Sequence, residues 1–305
     1  MEKFTLHILG CGSALPTGLH MPSAQVLSLR ERLYMIDCGE GAQLQMRRAG
    51  LKFARLGCVF ISHLHGDHCL GLIGLISTFS LLGRTMPLRV FAPADLEPVL
   101  RLQLRTFCAG LQFEVEFHAV NPEASAVVYE DKALTVRTLP LRHRIACCGY
   151  LFSEKPALPH IRRDMIDFYH IPYYAIPDIK SGADWLTPEG ECVPNRYLVA
   201  PAAPPRAYAY CSDTAYCPKL VPLLQGVNLL YHEATFGADN VCRAHETFHS
   251  TAAEAASIAR QAGVGRLLIG HYSARYTRVE PLLNEAQAEF PNTLAAHEGM
   301  TVDIE

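Results

Sequence analysis

Short apolar runs alternate with turn residues along most of the chain. Runs of this kind, rich in β-branched and aromatic side chains and bounded by turns, predict β-strands. We predict strands at 4–9, 24–29, 32–37, 58–62, 88–92, 113–120, 133–141, 208–212, 228–234 and 266–271. The protein should therefore contain extensive β-sheet.

Helical patterns are fewer and fall between or after these runs. Residues 71–82 are apolar almost all round, which predicts a buried helix, whereas 96–107 and 250–263 are amphipathic. The last of these should begin at Ser250, contain Glu254 and end near Gly263. This interleaving predicts an α/β fold in which outer helices cover the sheets.

Residues 153–206 interrupt the pattern with nine prolines and with aromatic residues such as Tyr173, Tyr174 and Trp185. A connection this long is uncommon in a compact domain and is usually functional or disordered. The aromatic content argues against disorder. We therefore predict one domain over residues 1–305, with 153–206 inserted as a protruding arm.

Composition narrows the class of protein further. The 305 residues are 50% hydrophobic, enough for a large core, and the formal net charge of −3 gives no global signal for nucleic acid. The eleven cysteines are odd in number and irregularly spaced, which favours reduced thiols in the core over disulfides. No apolar stretch approaches the roughly 20 residues of a membrane helix, and the first residues do not resemble a signal peptide. We expect a soluble, cytoplasmic protein.

The densest chemistry lies in the run HLHGDH at 63–68. His63 and His65 are two apart and can face one way, while Asp67 and His68 follow Gly66 and can face another. A catalytic zinc usually takes about three protein ligands and leaves one position for water. Four ligands in two pairs therefore favour two ions with a shared oxygen over a polar loop of hydrogen-bonded histidines.

The remaining ligands for two ions should lie at other strand ends. His143 comes soon after the predicted strand at 133–141, Asp213 directly follows the one at 208–212, and His271 ends the one at 266–271. The two oxygens of Asp213 could bridge ions that are about 3.5–4 Å apart. Polar residues are also common at strand ends for purely structural reasons, so each residue taken alone would be weak support.

Seven motifs along the chain carry a resemblance to a known family. They are FISHLHGDHCLGL (60–72), DCGEGAQLQ (37–45), PLRHRIACCGY (140–150), CSDT (211–214), HEATF (232–236), HETFHST (245–251) and GHYSARY (270–276). The chain resembles the metallo-β-lactamase superfamily and, within it, the short form of the ribonuclease Z family of tRNA 3′-processing endonucleases. The first motif identifies only the superfamily, whereas HEATF, HST and HYSARY are specific to the nuclease.

The resemblance implies a metallo-β-lactamase fold, an αββα sandwich of two mixed β-sheets flanked by helices. It also implies two zinc ions per subunit, with manganese as the alternative. One ion would be held by His63, His65 and His143, the other by Asp67, His68 and His271, with Asp213 shared. The same resemblance implies a homodimer that acts on precursor tRNA, with the arm as the tRNA-binding exosite.

Further roles follow from the same resemblance. Asp67 would help to orient the attacking water, and His249 would donate a proton to the departing 3′ oxygen. Glu233 would orient His249 or only hold the strand end, and His249 could be merely a neighbour of a helix cap. We expect Asp37 to orient a metal-binding imidazole. His232 and His245 should be structural, and Arg275 should contact a substrate phosphate or form a surface salt bridge.

The arm departs from the family pattern because it carries six basic and seven acidic residues, a net charge of −1. Phosphate contacts normally supply most nonspecific affinity for nucleic acid, so stacking and shape recognition would have to compensate. Two alternatives follow for the whole protein. One is a small-molecule ester or thioester hydrolase of the same superfamily, and the other is an RNA-binding homologue with weak catalysis.

Overall fold

A computed structural model describes residues 3–15 and 17–305. Its main body, residues 3–153 and 206–305 of that range, is built on two seven-stranded sheets. The first sheet consists of β1 (Phe4–Gly10), β2 (Ala24–Leu29), β3 (Arg32–Cys38), β4 (Leu56–Phe60), β5 (Leu88–Pro93), β6 (Val115–Val120) and β18 (Thr301–Asp303). The second consists of β7 (Val127–Glu130), β8 (Leu134–Pro140), β9 (Cys148–Glu154), β14 (Ala207–Cys211), β15 (Leu229–Glu233), β16 (Arg266–Gly270) and β17 (Thr293–Ala295).

Both sheets are mixed. The first runs in the order β18-β1-β2-β3-β4-β5-β6, antiparallel as far as β3 and parallel from β3 to β6. The second runs in the order β17-β16-β15-β14-β9-β8-β7, parallel from β14 to β17. Parallel neighbours end at the same sheet edge, so the loops that follow them lie together.

Helices cover the outer faces of the sheets. The body contains α1 (Ala42–Arg48), α2 (Gly66–Cys69), α3 (Gly71–Leu81), α4 (Leu96–Phe107), α8 (Val241–Thr247), α9 (Ala252–Ala262) and α10 (Glu280–Glu289). Short 3₁₀ turns lie at Phe53–Arg55, Pro218–Leu223 and Ala238–Asn240. Side chains of α1, α3 and α4 pack on one face of the first sheet, and those of α9 and α10 pack against the second.

The sheets pack against each other through large buried side chains. The ring of Phe60 on β4 meets Phe152 on β9 edge-on at 5.3 Å, and Tyr150 donates a hydrogen bond to the carbonyl of Ile61 at 2.7 Å. With helices outside and two sheets between them, the body is an αββα sandwich, as predicted.

Residues Glu154–Pro205 form a second compact unit with a small core of their own. This unit, called the arm below, contains β10 (His160–Ile161), β11 (Trp185–Leu186), β12 (Cys192–Val193), β13 (Val199–Ala200), α5 (Arg163–Phe168), α6 (Ile176–Lys180), α7 (Asn195–Leu198) and a 3₁₀ turn at Tyr173–Ala175. β10 pairs with β13, and β11 pairs with β12. The core is formed by Ile171, Ala175, Ile179, Val193 and Leu198.

The ten predicted strands and three predicted helices are all present, with ends shifted by at most two residues. One boundary was wrong: α9 begins at Ala252, and its N-cap is Thr251 rather than Ser250. The Thr251 hydroxyl accepts from Glu254 N–H at 3.2 Å, while the Glu254 carboxylate accepts from Thr251 N–H at 2.9 Å. Ser250 instead donates its hydroxyl to the carbonyl of Thr214.

The cysteines are free thiols, most of them buried. Among residues 3–15 and 17–305, no helix combines the length and apolar character needed to cross a membrane.

Candidate metal centre

The loops after four strands bring the predicted ligands to one place. Residues 63–68 follow β4, His143 follows β8, Asp213 follows β14, and His271 follows β16. His63 and His68 are fully buried, and Asp213 and His271 are each 2% exposed. Polar side chains this deeply buried require partners.

The first cluster contains His63, His65, His143 and one oxygen of Asp213. His65 Nδ1 lies 3.0 Å from His63 Nε2 and 3.3 Å from His143 Nε2. Asp213 Oδ2 lies 3.5 Å from His63 Nε2 and 3.7 Å from His143 Nε2. Ligands about 2.0–2.1 Å from a tetrahedral zinc are about 3.3 Å from one another, so these atoms have the spacing of one coordination shell.

The second cluster contains Asp67, His68 and His271. His68 Nε2 lies 3.2 Å from His271 Nε2, and Asp67 Oδ2 lies 3.3 Å and 3.5 Å from those two atoms. The other oxygen of Asp213, Oδ1, lies 3.4 Å from His68 Nε2 and 3.2 Å from His271 Nε2. One carboxylate therefore presents one oxygen to each cluster.

Asp213 Oδ1 is buried and accepts no hydrogen bond from any group in the described parts of the chain. A buried carboxylate oxygen without a donor is costly, and a bound cation would remove that cost. Imidazole and carboxylate together suit zinc and manganese. The His/Asp clusters are thus suited to binding metal ions.

The electrostatics of the second cluster also favour a bound cation. Burial lowers the pKa of His68, but the carboxylates of Asp213, Asp37 and Asp67 outweigh it and raise that pKa well above its usual range. Burial raises the pKa of Asp67, yet His68 and His271 hold it well below its usual range. Three carboxylates around one imidazole form a site of excess negative charge, which a divalent ion would balance.

The first cluster differs, because its imidazoles stay neutral. Burial and the neighbouring His63 lower the pKa of His65 to about 4. Burial likewise lowers the pKa values of His63 and His143. A histidine binds metal in its neutral form, so these three side chains are ready to act as ligands at neutral pH.

The buried carboxylate of Asp37 contacts groups of both clusters. Its carboxylate accepts from His68 Nδ1 at 2.7 Å, from the Tyr210 hydroxyl at 2.6 Å, and from the backbone and side chain of Ser62 at 2.8 and 2.9 Å. The Ser62 hydroxyl also lies 3.0 Å from His63 Nδ1. One buried carboxylate therefore fixes the ring orientation of His68 directly and that of His63 through Ser62.

Two further contacts orient the rings of His271 and His143. Thr235 Oγ1 lies 2.9 Å from His271 Nδ1, and His143 Nδ1 donates to the carbonyl of Phe248 at 3.0 Å.

Three residues in and around the clusters have left-handed backbone angles although they are not glycine: Asp37 (φ 54°), Phe248 (φ 60°) and His271 (φ 61°). Such strain costs energy and is typical of functional sites.

His249 lies beside this centre and pairs with Glu233. His249 Nδ1 is 2.9 Å from Glu233 Oε1, and the His249 ring lies 5.6 Å from the ring of His271. Burial lowers the pKa of His249, but the carboxylate of Glu233 prevails and raises it to about 9. His249 is therefore protonated at neutral pH and can act as an acid.

A cavity of about 350 Å³ opens onto the centre and is lined by Asp67, His249 and His271, among others. It is also lined by residues that sequence reasoning missed, including Arg144, Ser13 and Glu40. Arg144 directly follows the predicted ligand His143. This position is the sequence signal that could have indicated that Arg144 lines the cavity.

Three other residues singled out in the sequence are His232, His245 and Arg275. His232 is fully buried and bonds through Nδ1 to the carbonyl of Glu233, and His245 pairs with Glu254 at 2.7 Å. That these two histidines are structural stays a prediction. Arg275 is exposed.

Comparisons with known proteins identify the chain. Residues 4–155 match the family model described as "Anti-Pycsar protein Apyc1". The chain is 56% identical to the ribonuclease Z of Bacteroides fragilis over 304 residues, covering 100% of each protein. It is also 56% identical to that of Phocaeicola vulgatus and 55% identical to that of Porphyromonas gingivalis, again over its full length.

Solved structures agree on the fold. The short form of human tRNase Z superposes with a TM-score of 0.72 at 24% identity, covering 99% of each chain. The metallo-β-lactamase fold protein YhfI of Bacillus subtilis gives 0.68 at 18% identity, also covering 99% of each chain. The αββα sandwich and the His/Asp clusters at its strand ends thus define a protein of the metallo-β-lactamase fold. Within that class, the chain belongs to the ribonuclease Z family.

The role of Asp37 can be tested with Asp37→Asn. The amide keeps the shape but removes a charge and an acceptor that orient His68, so metal affinity should fall by about 10- to 100-fold. Chelator competition on folded, metal-loaded protein measures this. Asp95→Asn, an exposed carboxylate before α4, is the matched control and should retain full affinity. Unchanged affinity in Asp37→Asn would contradict the orienting role.

Proposed function

We propose that the protein is a metal-dependent endoribonuclease that removes 3′ trailers from tRNA precursors. It leaves a 3′-hydroxyl on the tRNA and a 5′-phosphate on the trailer. The observation that carries this proposal is the full-length identity of 56% with ribonuclease Z of Bacteroides fragilis. The site supports the chemistry, because an ionised carboxylate and a protonated imidazole line the same cavity.

We assign two zinc ions to the centre, with manganese as the alternative. His63, His65 and His143 would hold one ion, Asp67, His68 and His271 the other, and Asp213 would bridge them. The support is the spacing of 3.0–3.7 Å between facing ligand atoms in the clusters and the division of the Asp213 oxygens between them. Such ions lower the pKa of an attacking water and neutralise charge on a phosphate.

The protein's own side chains supply orientation and the proton. Asp67 stays ionised, and the Ala14 N–H donates to its Oδ2 at 2.7 Å, so the carboxylate is fixed and can orient water. His249, protonated through Glu233, gives its proton to the departing 3′ oxygen of the tRNA. Arg144 at the cavity wall carries a positive charge suited to a phosphate.

Cleavage of a 5′-labelled precursor tRNA tests the proposal. Metal-loaded protein should make one cut at the start of the trailer, and Asp67→Ala and His249→Ala should slow it by roughly 10²- to 10⁴-fold. His118→Ala, a half-exposed histidine on β6, is the control and should cut at the normal rate. Hydrolysis of simple phosphodiesters or thioesters without cleavage of the precursor would contradict the tRNA assignment and favour a small-molecule hydrolase. Binding without cleavage would favour the RNA-binding alternative.

The pH dependence tests the acid. Activity requires protonated His249, so it should fall as pH rises through the pKa of that imidazole. Glu233→Gln removes the charge that raises this pKa, and the alkaline limb of kcat/KM should therefore move to lower pH. Glu97→Gln, an exposed partner of Arg101, should leave the profile in place. An unmoved limb in Glu233→Gln would mean that Glu233 only holds the strand end.

We further propose that the arm is the tRNA-binding exosite and binds by stacking. It exposes Phe168 (71%), Tyr173 (88%), Tyr174 (81%) and Tyr197 (51%), which is unusual for aromatic side chains. The Arg196 guanidinium lies 4.9 Å from the Tyr197 ring, which adds a planar cation to this set. Aromatic side chains bind bases with about 1–3 kcal/mol each, so stacking can replace the missing positive charge.

The double substitution Tyr173→Ala/Tyr174→Ala tests this role. KM for precursor tRNA should rise about fivefold or more, since even one lost stack of 1 kcal/mol weakens binding by that factor. Hydrolysis of a simple phosphodiester should not change. Leu186→Ala removes a similarly exposed but non-aromatic side chain of the arm and serves as the control. Equal KM values in all three proteins would argue against the exosite.

We also propose a homodimer. Large apolar side chains are exposed at high density between residues 81 and 107: Leu81 (85%), Leu82 (61%), Met86 (67%), Val99 (51%), Leu102 (57%) and Phe107 (68%). Exposed apolar surface on this scale is typical of an interface.

The proposed location is the cytoplasm, because the proposed substrate is precursor tRNA.

Sedimentation velocity tests the dimer. Leu81→Glu and Leu102→Glu place charges on the proposed interface and should convert a dimer to a monomer. Val241→Glu, at an exposed position on α8, should leave the dimer intact. A wild-type protein that sediments as a monomer at all concentrations would refute the proposal.

A further inference from the structure

A second group of metal-ligand side chains lies outside the proposed nuclease centre. Cys11 follows β1, His20 lies on the loop before β2, and Glu298 lies on the turn before β18. Cys11 Sγ is 3.6 Å from His20 Nδ1 and 3.6 Å from Glu298 Oε1, and His20 Nδ1 is 3.1 Å from Glu298 Oε2. Three chemically different ligands thus face one another across short distances.

Two of these distances, from His20 Nδ1 to Cys11 Sγ and from His20 Nδ1 to Glu298 Oε2, match one zinc coordination shell. With Zn–S near 2.3 Å and Zn–N or Zn–O near 2.0–2.1 Å, a tetrahedral ion places sulfur about 3.6 Å from nitrogen or oxygen. Nitrogen and oxygen ligands are then about 3.3 Å apart. The spacing resembles that of the two His/Asp clusters.

The surrounding backbone is built around this cluster. A Cβ at Gly12 would lie 2.8 Å from His20 Cβ, and a Cβ at Gly10 would lie 1.9 Å from the carbonyl oxygen of Pro22. Only glycine therefore lets the loop that carries His20 come so close to the end of β1. The Met21 N–H donates to Glu298 Oε1 at 2.8 Å, which fixes the carboxylate from the same loop.

The charges also suit a divalent ion. A Cys11 thiolate and the Glu298 carboxylate together balance two positive charges, and His20 binds as the neutral imidazole. Burial and the nearby Glu298 raise the pKa of the free Cys11 thiol, so the metal must displace the thiol proton, which leaves to solvent. The side chains of His20 and Glu298 are 17% and 19% exposed, which leaves room for water as the fourth ligand.

We propose that Cys11, His20 and Glu298 bind one divalent ion of the zinc class, separate from the His/Asp centre. This ion is structural and joins the loop at 11–22 to the turn at 296–300. The joined loop also serves the nuclease site, because Ala14 N–H donates to Asp67 Oδ2 at 2.7 Å. The competing explanation is a cluster held only by hydrogen bonds from the thiol and the imidazole.

Cobalt substitution separates these explanations. Cobalt(II) bound to a thiolate gives an intense near-ultraviolet charge-transfer band, which imidazole and carboxylate ligands do not give. The proposed nuclease centre contains no cysteine, so cobalt-loaded full-length protein should show this band only through Cys11. The band should be absent in Cys11→Ser and present in Cys58→Ser, which alters another buried thiol of the same hydrophobic cluster.

Independence from the proposed nuclease centre is tested in the same spectra. Asp67→Ala should retain the charge-transfer band, whatever its effect on RNA cleavage. Glu298→Ala and His20→Ala should lower the zinc content measured by mass spectrometry by about one ion per chain, which keeps the test decisive if Cys11→Ser does not fold. A wild-type protein that shows visible cobalt bands from the His/Asp centre but no charge-transfer band would overturn the proposal. So would a band that persists in Cys11→Ser.

Discussion

The buried carboxylate of Asp213 is the constraint on which the rest of the structure depends. It is 2% exposed, and its two oxygens face different sets of imidazoles. A charge buried in this way must be balanced, and the balance requires groups from several strand ends at once. The two sheets must therefore bring the ends of β4, β8, β14 and β16 close enough for the side chains that follow them to contact one another. Packing such as that of Phe60 against Phe152 holds the sheets in that relation.

A second buried carboxylate couples the acid to the same framework. Glu233 accepts from the backbone N–H groups of Thr214 and Ser250 at 3.0 and 3.1 Å, as well as from His249. Thr214 follows Asp213, and Ser250 follows His249, so the Glu233 side chain joins the loop of a proposed ligand to the loop of the proposed acid. Thr235 extends this link, because its hydroxyl contacts both Glu233 and the ring of His271. The proposed proton donor and the proposed metal ligands are thus positioned by one hydrogen-bond network.

Much of this arrangement could be predicted from the sequence, because the relevant signals are local. The run at 63–68 places four ligands within six residues, and His143, Asp213 and His271 follow strands that hydrophobic patterning alone indicates. The missed elements lack such signals. Helix α1 begins at Ala42 after the N-cap Gly41, which offers no side-chain cap, and β18 is only three residues long. The role of Thr235 depends on contacts with His249 and His271, which periodicity does not encode.

The proposed third ion gives the loop at 11–22 a physical reason to be rigid. Within the described residues 11–15 and 17–22, only isolated bridges at Gly12 and Pro22 are regular, yet Ala14 N–H must donate to Asp67 Oδ2 at 2.7 Å. Backbone bonds already join it to the residue after a proposed ligand, since Tyr272 N–H donates to the carbonyl of Cys11 at 3.0 Å and Ser13 N–H donates to the carbonyl of Tyr272 at 3.1 Å. The far end of the loop is held by Gly12 N–H, which donates to the carbonyl of Met21 at 2.9 Å, and by Met21 N–H, which donates to Glu298 Oε1 at 2.8 Å. An ion held by Cys11, His20 and Glu298 would add side-chain ligands to this closure, so that the orientation of Asp67 would depend on a metal that takes no part in the reaction.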